Sequence, residues 1–203
     1  MRVTGEHVVS RESEQRIACW LREDDERMAA LRALAELALP DAWLAAGFVR
    51  NLVWDRLHGY SPPTPLNDLD VLHFDATDCS RASEQALEAR LGARLARPWS
   101  VRNQARMHHR NGDPPYQDSI DAMRYWVELE TAVAVRLVAN DTLQIAAPFG
   151  LQSLLGGRLT PNPYRPRPQA FARRCADKGW LQRWPRLSKR SLREAVSPDD
   201  PLA

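Results

Sequence analysis

A chain of 203 residues, 44% of them hydrophobic, can bury one substantial core with a small appendage but hardly two full domains. Cys19, Cys79 and Cys175 are scattered without metal-ligand spacing, and there is neither a basic-then-apolar leader nor an apolar run of bilayer length. These features argue against a zinc module and a helical membrane protein, and the expectation is a protein of the reducing cytoplasm with no membrane partner. The net charge of +2 is uneven: residues 158–193 hold eleven bases against one acid (+10), while the remainder holds 17 bases and 25 acids (−8).

From Ser13 to Leu39, apolar positions Ile17, Trp20 and Leu21, then Met28, Leu31, Leu34 and Leu37, recur at helical spacing around an acidic break at Asp24-Asp25. Two helices are expected, the second ending before Pro40. The short apolar run Ala42–Ala46 suits a buried strand, and Val49, Leu52, Val53 and Leu57 then fit one helix face. A loop holding Pro62, Pro63 and Pro65 leads to a strand over Leu69–Phe74. Asp78 or Ser80 can cap a helix carrying Leu87 and Leu91, followed by a strand over Trp99–Arg102. Ser119 can cap a helix through Tyr125, and Val133–Val138 with Leu143–Ala147 reads as an antiparallel hairpin around Asn140-Asp141. Prolines 161, 163, 166 and 168 predict an extended linker, Gln169–Lys178 a short helix, and Ser197–Ala203 a disordered end. This divides the chain into a mixed α/β domain, residues 1–157, and a basic extension, residues 158–203.

Two segments carry chemistry. On a strand, alternate side chains share a face, so Asp68 and Asp70 can clasp a hard divalent cation through their oxygens. The alternative is a pair of solvated carboxylates at a strand edge. Upstream, Gly47 at a strand-to-helix turn would let a phosphate approach the backbone, with the opening amides of the helix, Arg50 and Asn51 facing the anion. Together the segments read as a site for a metal-bound nucleoside triphosphate. Arg102, Asn103, Gln104 and Arg106 are donors beside a strand, suited to base, ribose or phosphate recognition, with stabilisation of a loop as the alternative. Arg136, between Val135 and Leu137, either reaches the phosphates or pairs with an acid such as Glu130. Trp180, Trp184 and nearby arginines either bind single-stranded nucleic acid or pack the extension onto the domain; packing is preferred because no RNA-binding motif accompanies them.

The stretch Ala45-Ala46-Gly47-Phe48-Val49-Arg50-Asn51 followed by Asp68-Leu69-Asp70-Val71 resembles the active-site pattern of the DNA polymerase beta-like nucleotidyltransferase superfamily, its first part most like that of tRNA CCA-adding enzymes. Trp99–His108, Ala147-Pro148-Phe149-Gly150-Leu151 and Pro161-Asn162-Pro163 resemble the blocks of a small, functionally uncharacterised bacterial nucleotidyltransferase-like family, over about Leu39 to Pro163. The resemblance implies a nucleotidyltransferase-like mixed sheet with flanking helices. It also implies two Mg²⁺ ions held by Asp68 and Asp70 as the catalytic pair, and transfer of a nucleoside monophosphate from a nucleoside triphosphate to a hydroxyl. The acceptor, RNA or a small molecule, stays open. The third carboxylate usual in polymerising members is absent from the Trp99–Arg102 strand, and Asp121, Glu128 and Glu130 have no clear place on the right one. A nucleotide- or RNA-binding regulatory protein without the chemistry is therefore the alternative.

Overall fold

The structure, a computed structural model, describes residues 11–195. Helices α1 (Arg11–Arg22) and α2 (Asp25–Ala35) meet at Asp24, whose carboxylate caps α2 by accepting from the Arg27 amide. Strand β1 (Trp43–Ala45) runs into α3 (Gly47–His58), and the proline-bearing loop delivers β2 (Leu69–His73). Helix α4 (Arg81–Arg94) is capped by the Ser80 hydroxyl, as the spacing suggested. Strand β3 (Trp99–Asn103) continues directly into α5 (Gln104–Asn111), a helix that the donor-rich sequence did not predict because Asn103 supplies its cap only in this chain geometry.

Short helix α6 (Ser119–Met123), capped by Asp118, and a 3₁₀ turn at Leu129–Thr131 precede the hairpin of β4 (Ala134–Val138) and β5 (Thr142–Ala146). The five strands lie in the order β3-β2-β1-β4-β5; β2 and β3 are parallel and the other pairs antiparallel. Leu69, Val71, Val101 and Val135 point into the main core under α1–α4, and Trp43, Leu72 and Ala134 point to the opposite face, where Met123 and Trp126 cover them. A period of two therefore gives both sheet faces an apolar layer and leaves Asp70 on the second face, beside Leu72.

The basic C-terminal part is built into this frame. After α7 (Gln152–Leu155), β6 (Arg158–Leu159) pairs in parallel with β7 (Ser188–Lys189), and Glu128 bridges to Pro161. Between them, α8 (Pro168–Lys178) and α9 (Trp180–Arg183) bury Phe171, Trp180 and Trp184; α10 (Leu192–Ala195) follows. Trp54 of α3 meets both tryptophans edge to face, at 5.9 and 5.0 Å between ring centroids, and the Trp184 indole N–H donates to Asp55 at 2.8 Å. Packing is thus the role these tryptophans have, and neither offers a free face for a nucleobase. The expected disordered end, Ser197–Ala203, lies outside the described residues.

Candidate active site

A cavity of about 310 Å³ opens on the second sheet face. Asp70 of β2 and Ser100 of β3, direct register partners, form one side with Ala46, while Gln104, Met107 and Asn111 of α5 form another. Segment Tyr125–Glu128 and Thr131 make the floor; Arg167 and Arg174 close the cavity from the C-terminal part.

Asp68 is exposed just before β2 and Asp70 is half-buried on it. The two are close enough to act on each other. Burial first and the Asp68 charge second push the Asp70 carboxyl above the usual range, against the pull of the Ser100 hydroxyl, Arg50 and Lys178. A divalent cation would relieve that repulsion. Among the described residues no cluster of three metal-ligating side chains forms; a hard cation held here by the two carboxylates would have to complete its shell with substrate phosphates and water.

The turn before α3 differs from its expected form. Ala46, not Gly47, adopts positive φ (56°, with ψ −119°), while Gly47 already starts the helix. A Cβ on Gly47 would meet only the Asn51 amide and the Arg50 guanidinium at ordinary contact distances. The strained position is nevertheless at the cavity wall, where Ala46 leads into the unpaired amides that open α3.

Arg50 does not project into the cavity. It is buried between the rings of Trp54 and Trp180, 5.0 and 4.7 Å from their centroids, and donates to Thr131 Oγ1 at 2.9 Å and Asn51 Oδ1 at 3.0 Å. Its Nε has no hydrogen-bond partner, and burial lowers its pKa to about 10 despite the through-space attraction of Glu128, Asp70 and Glu130. Arg50 is therefore a desolvated cation one residue behind the wall, with Thr131 between it and the cavity.

The remaining expected ligands divide. Arg102 and Gln104 line the cavity, although Arg102 also donates to Glu88 at 2.9 Å. Asn103 is fully buried: its side chain caps α5 and donates to the carbonyls of Asp75 and Asp78, so its role is the loop stabilisation weighed against recognition. Arg106 is held by Glu84 of α4. Arg136 reaches neither the cavity nor Glu130; it lies over the Trp43 ring at 4.1 Å, donates to Gln144 and stands 3.9 Å from Asp41. A cation flanked by apolar residues on β4, two strands away from Asp70, thus found an aromatic face on the neighbouring β1.

Glu128 is the acid that sequence reasoning left unplaced and the structure brings to the cavity. It is fully buried, with both oxygens held by Arg174, at 2.6 Å from Nε and 3.1 Å from Nη2. Glu130 lies deeper, bound by the Ser153 hydroxyl and the Thr160 amide, and Asp121 accepts from the Gln117 amide beside α6. The one signal for Glu128 was an acid between Val127 and Leu129; for Arg174, one of eleven bases in its region, there was none.

A nucleotidyltransferase family profile matches residues 32–189, most of the chain and across the boundary expected at Arg158. The chain belongs to this nucleotidyltransferase family. A solved structure described as an NMR structure revealing a CCA-adding enzyme head domain is 33% identical, with a TM-score of 0.77, covering 87% of this chain and 95% of that one. Two others are more distant: a tRNA-processing enzyme complex (16% identical, TM-score 0.49, 82% of this chain and 44% of that one) and a CCA-adding enzyme with CTP (14%, 0.48, 82% and 47%). This chain spans less than half the length of those two. No protein of curated function matches the sequence. Fold and family together make this a nucleotidyltransferase, with the mixed sheet and flanking helices expected of one. Among the described residues no helix is long and apolar enough to cross a membrane.

Proposed function

We propose that the chain transfers a nucleoside monophosphate from a Mg²⁺-bound nucleoside triphosphate to a hydroxyl, with Asp68 and Asp70 as the metal-holding catalytic pair. The observation that carries this reading is the charge arrangement around the cavity: Asp70 at one wall, repelled by the neighbouring Asp68, and the desolvated Arg50 behind another. A metal-bound polyphosphate compensates both, because its cation answers the acids and its anionic oxygens answer the arginine. Bound Mg²⁺ would polarise the phosphoryl group and stabilise the departing pyrophosphate. Asp68 and Asp70 orient that group against the sheet, Ala46 and the amide end of α3 accept the phosphate tail, and Gln104 with Tyr125 and Trp126 offers an amide and aromatic edges to the base.

The test is calorimetry with each nucleoside triphosphate in the presence and absence of Mg²⁺, on the parent chain and the Asp68→Asn and Asp70→Asn variants. Mg²⁺-dependent affinity should fall by at least about tenfold in either variant, the scale of one lost charge-assisted contact. Unchanged affinity in both would remove the assignment. Glu128, the acid nearest in role to a third ligand, has both oxygens on Arg174, which sustains the alternative of a binding protein without transfer. Labelled nucleotide incubated with Mg²⁺ and cell extract separates the two: transfer releases pyrophosphate and moves label to an acceptor, whereas binding alone does neither.

A further inference from the structure

We infer that helix α8 supplies the cationic wall for the polyphosphate tail, with Arg174 as a phosphate-binding residue, Glu128 as the residue that positions it, and Lys178 as a second cation. The inference rests on the nucleotide reading above and adds to it a function for the C-terminal part of the chain. Arg174 and Lys178 are four residues apart, so they lie on one face of α8. Arg174 lines the same cavity as Asp70, and exposed Lys178 lies one helical turn beyond Arg174 at the end of α8. Arg174 thus stands at the cavity that Asp70 lines, where the metal-bound phosphates would lie, with Lys178 one turn farther along the same helix face.

The hydrogen bonds of Arg174 give the second argument. Its Nε and Nη2 face Glu128, the side-on bidentate arrangement, which leaves the Nη1 edge of a planar fork with further N–H donors. Glu128 is fully buried and Arg174 binds both of its oxygens, so the guanidinium cannot turn away from the cavity without stranding a buried charge. The Trp180 ring, 5.6 Å from the Arg174 guanidinium carbon, supports it from the other side. A rigid, oriented guanidinium with an unused edge at a carboxylate-lined cavity is suited to a phosphate oxygen, and far less to solvation of a surface.

The experiment compares binding of MgATP, Mg-pyrophosphate and AMP to the full chain and to Arg174→Gln, Glu128→Gln and Lys178→Gln, with Asp70→Asn alongside. Arg174→Gln should weaken MgATP and Mg-pyrophosphate about tenfold and leave AMP within about twofold. Glu128→Gln keeps the Arg174 charge but frees its orientation, so it should weaken the same two ligands by a smaller factor, and the conservative Arg174→Lys should restore part of the loss. Lys178 is exposed, and its replacement should not disturb folding; it should cost about threefold on MgATP and lessen the salt dependence. If Arg174→Gln does not fold, the Lys178 result decides. Equal loss of MgATP and AMP in Arg174→Gln, or parent affinities in both cation variants while Asp70→Asn loses MgATP, would overturn the inference and leave the nucleotide reading standing. Parent affinity in Asp70→Asn would instead remove the nucleotide reading itself.

Discussion

The two walls of the cavity are built in opposite ways. The carboxylate wall comes from one short segment: Asp70 lies on β2, its face set by strand alternation, and Asp68 stands one residue before the strand. The wall formed by α8 depends on contacts across long separations, with Arg174 held by Glu128 46 residues earlier and Trp184 bonded to Asp55 129 residues earlier. Arginines show the consequence. Arg50, adjacent in sequence to the motif, ends up behind Thr131 between two indoles, while Arg174, remote in sequence, lines the cavity. Proximity in sequence locates a group whose direction is dictated by its own strand; it does not locate a long side chain whose direction is chosen by what packs around it.

Three experiments break or sharpen that contrast. Trp184→Ala removes the indole that ties the C-terminal part to α3 and leaves Asp55 without one of its donors. The expected cost is about 3–5 kcal/mol of unfolding free energy in denaturant titration. A loss below about 1 kcal/mol, within the range of surface substitutions, would mean that the C-terminal helices are an appendage and not part of the core.

The second concerns Glu130, which joins the turn before β4 to α7 and β6 through Ser153 and Thr160. Burial raises its pKa from 4.5 to about 7, and those hydrogen bonds only partly oppose the shift. The folded chain therefore holds this proton more tightly than the unfolded one. Its contribution to stability is full below about pH 4.5 and is lost as pH rises through about 7. Glu130→Gln should gain on the parent as pH climbs through that window, measured as thermal midpoint against pH. A difference that stays constant from pH 4.5 to 8 would show that Glu130 is ionised throughout.

The smallest effect is expected at Arg136. Stacked on Trp43 and away from the cavity, it should leave MgATP affinity within about twofold when changed to Ala, with a stability cost of about 0.5–1 kcal/mol from the lost ring contact. A tenfold loss of affinity would place the phosphate site farther across the sheet than the Asp68–Asp70 pair.

Much of the frame was legible because it depends on short-range rules. The acidic break at Asp24, the Ser80 cap, the strand–turn–helix at Ala45–Gly47 and the hairpin around Asn140-Asp141 are each decided by residues within a few positions of one another. Helix α5 escaped because the residue that caps it, Asn103, is also the last residue of β3, and its amide is engaged by backbone groups 25 and 28 residues earlier. The turn at Ala46 was legible in place but not in residue: a glycine one position later drew the attention, although the positive φ falls on alanine.

By itself the sequence determined which segments alternate, where most helices start and that two carboxylates flank the first residue of a strand, since periodicity and capping act over a few residues. Only the tertiary structure decided which of the charges meet. Desolvation makes a buried carboxylate or guanidinium depend on every neighbour that replaces water, and for Glu128, Arg50 and Arg174 those neighbours come from three separate parts of the chain.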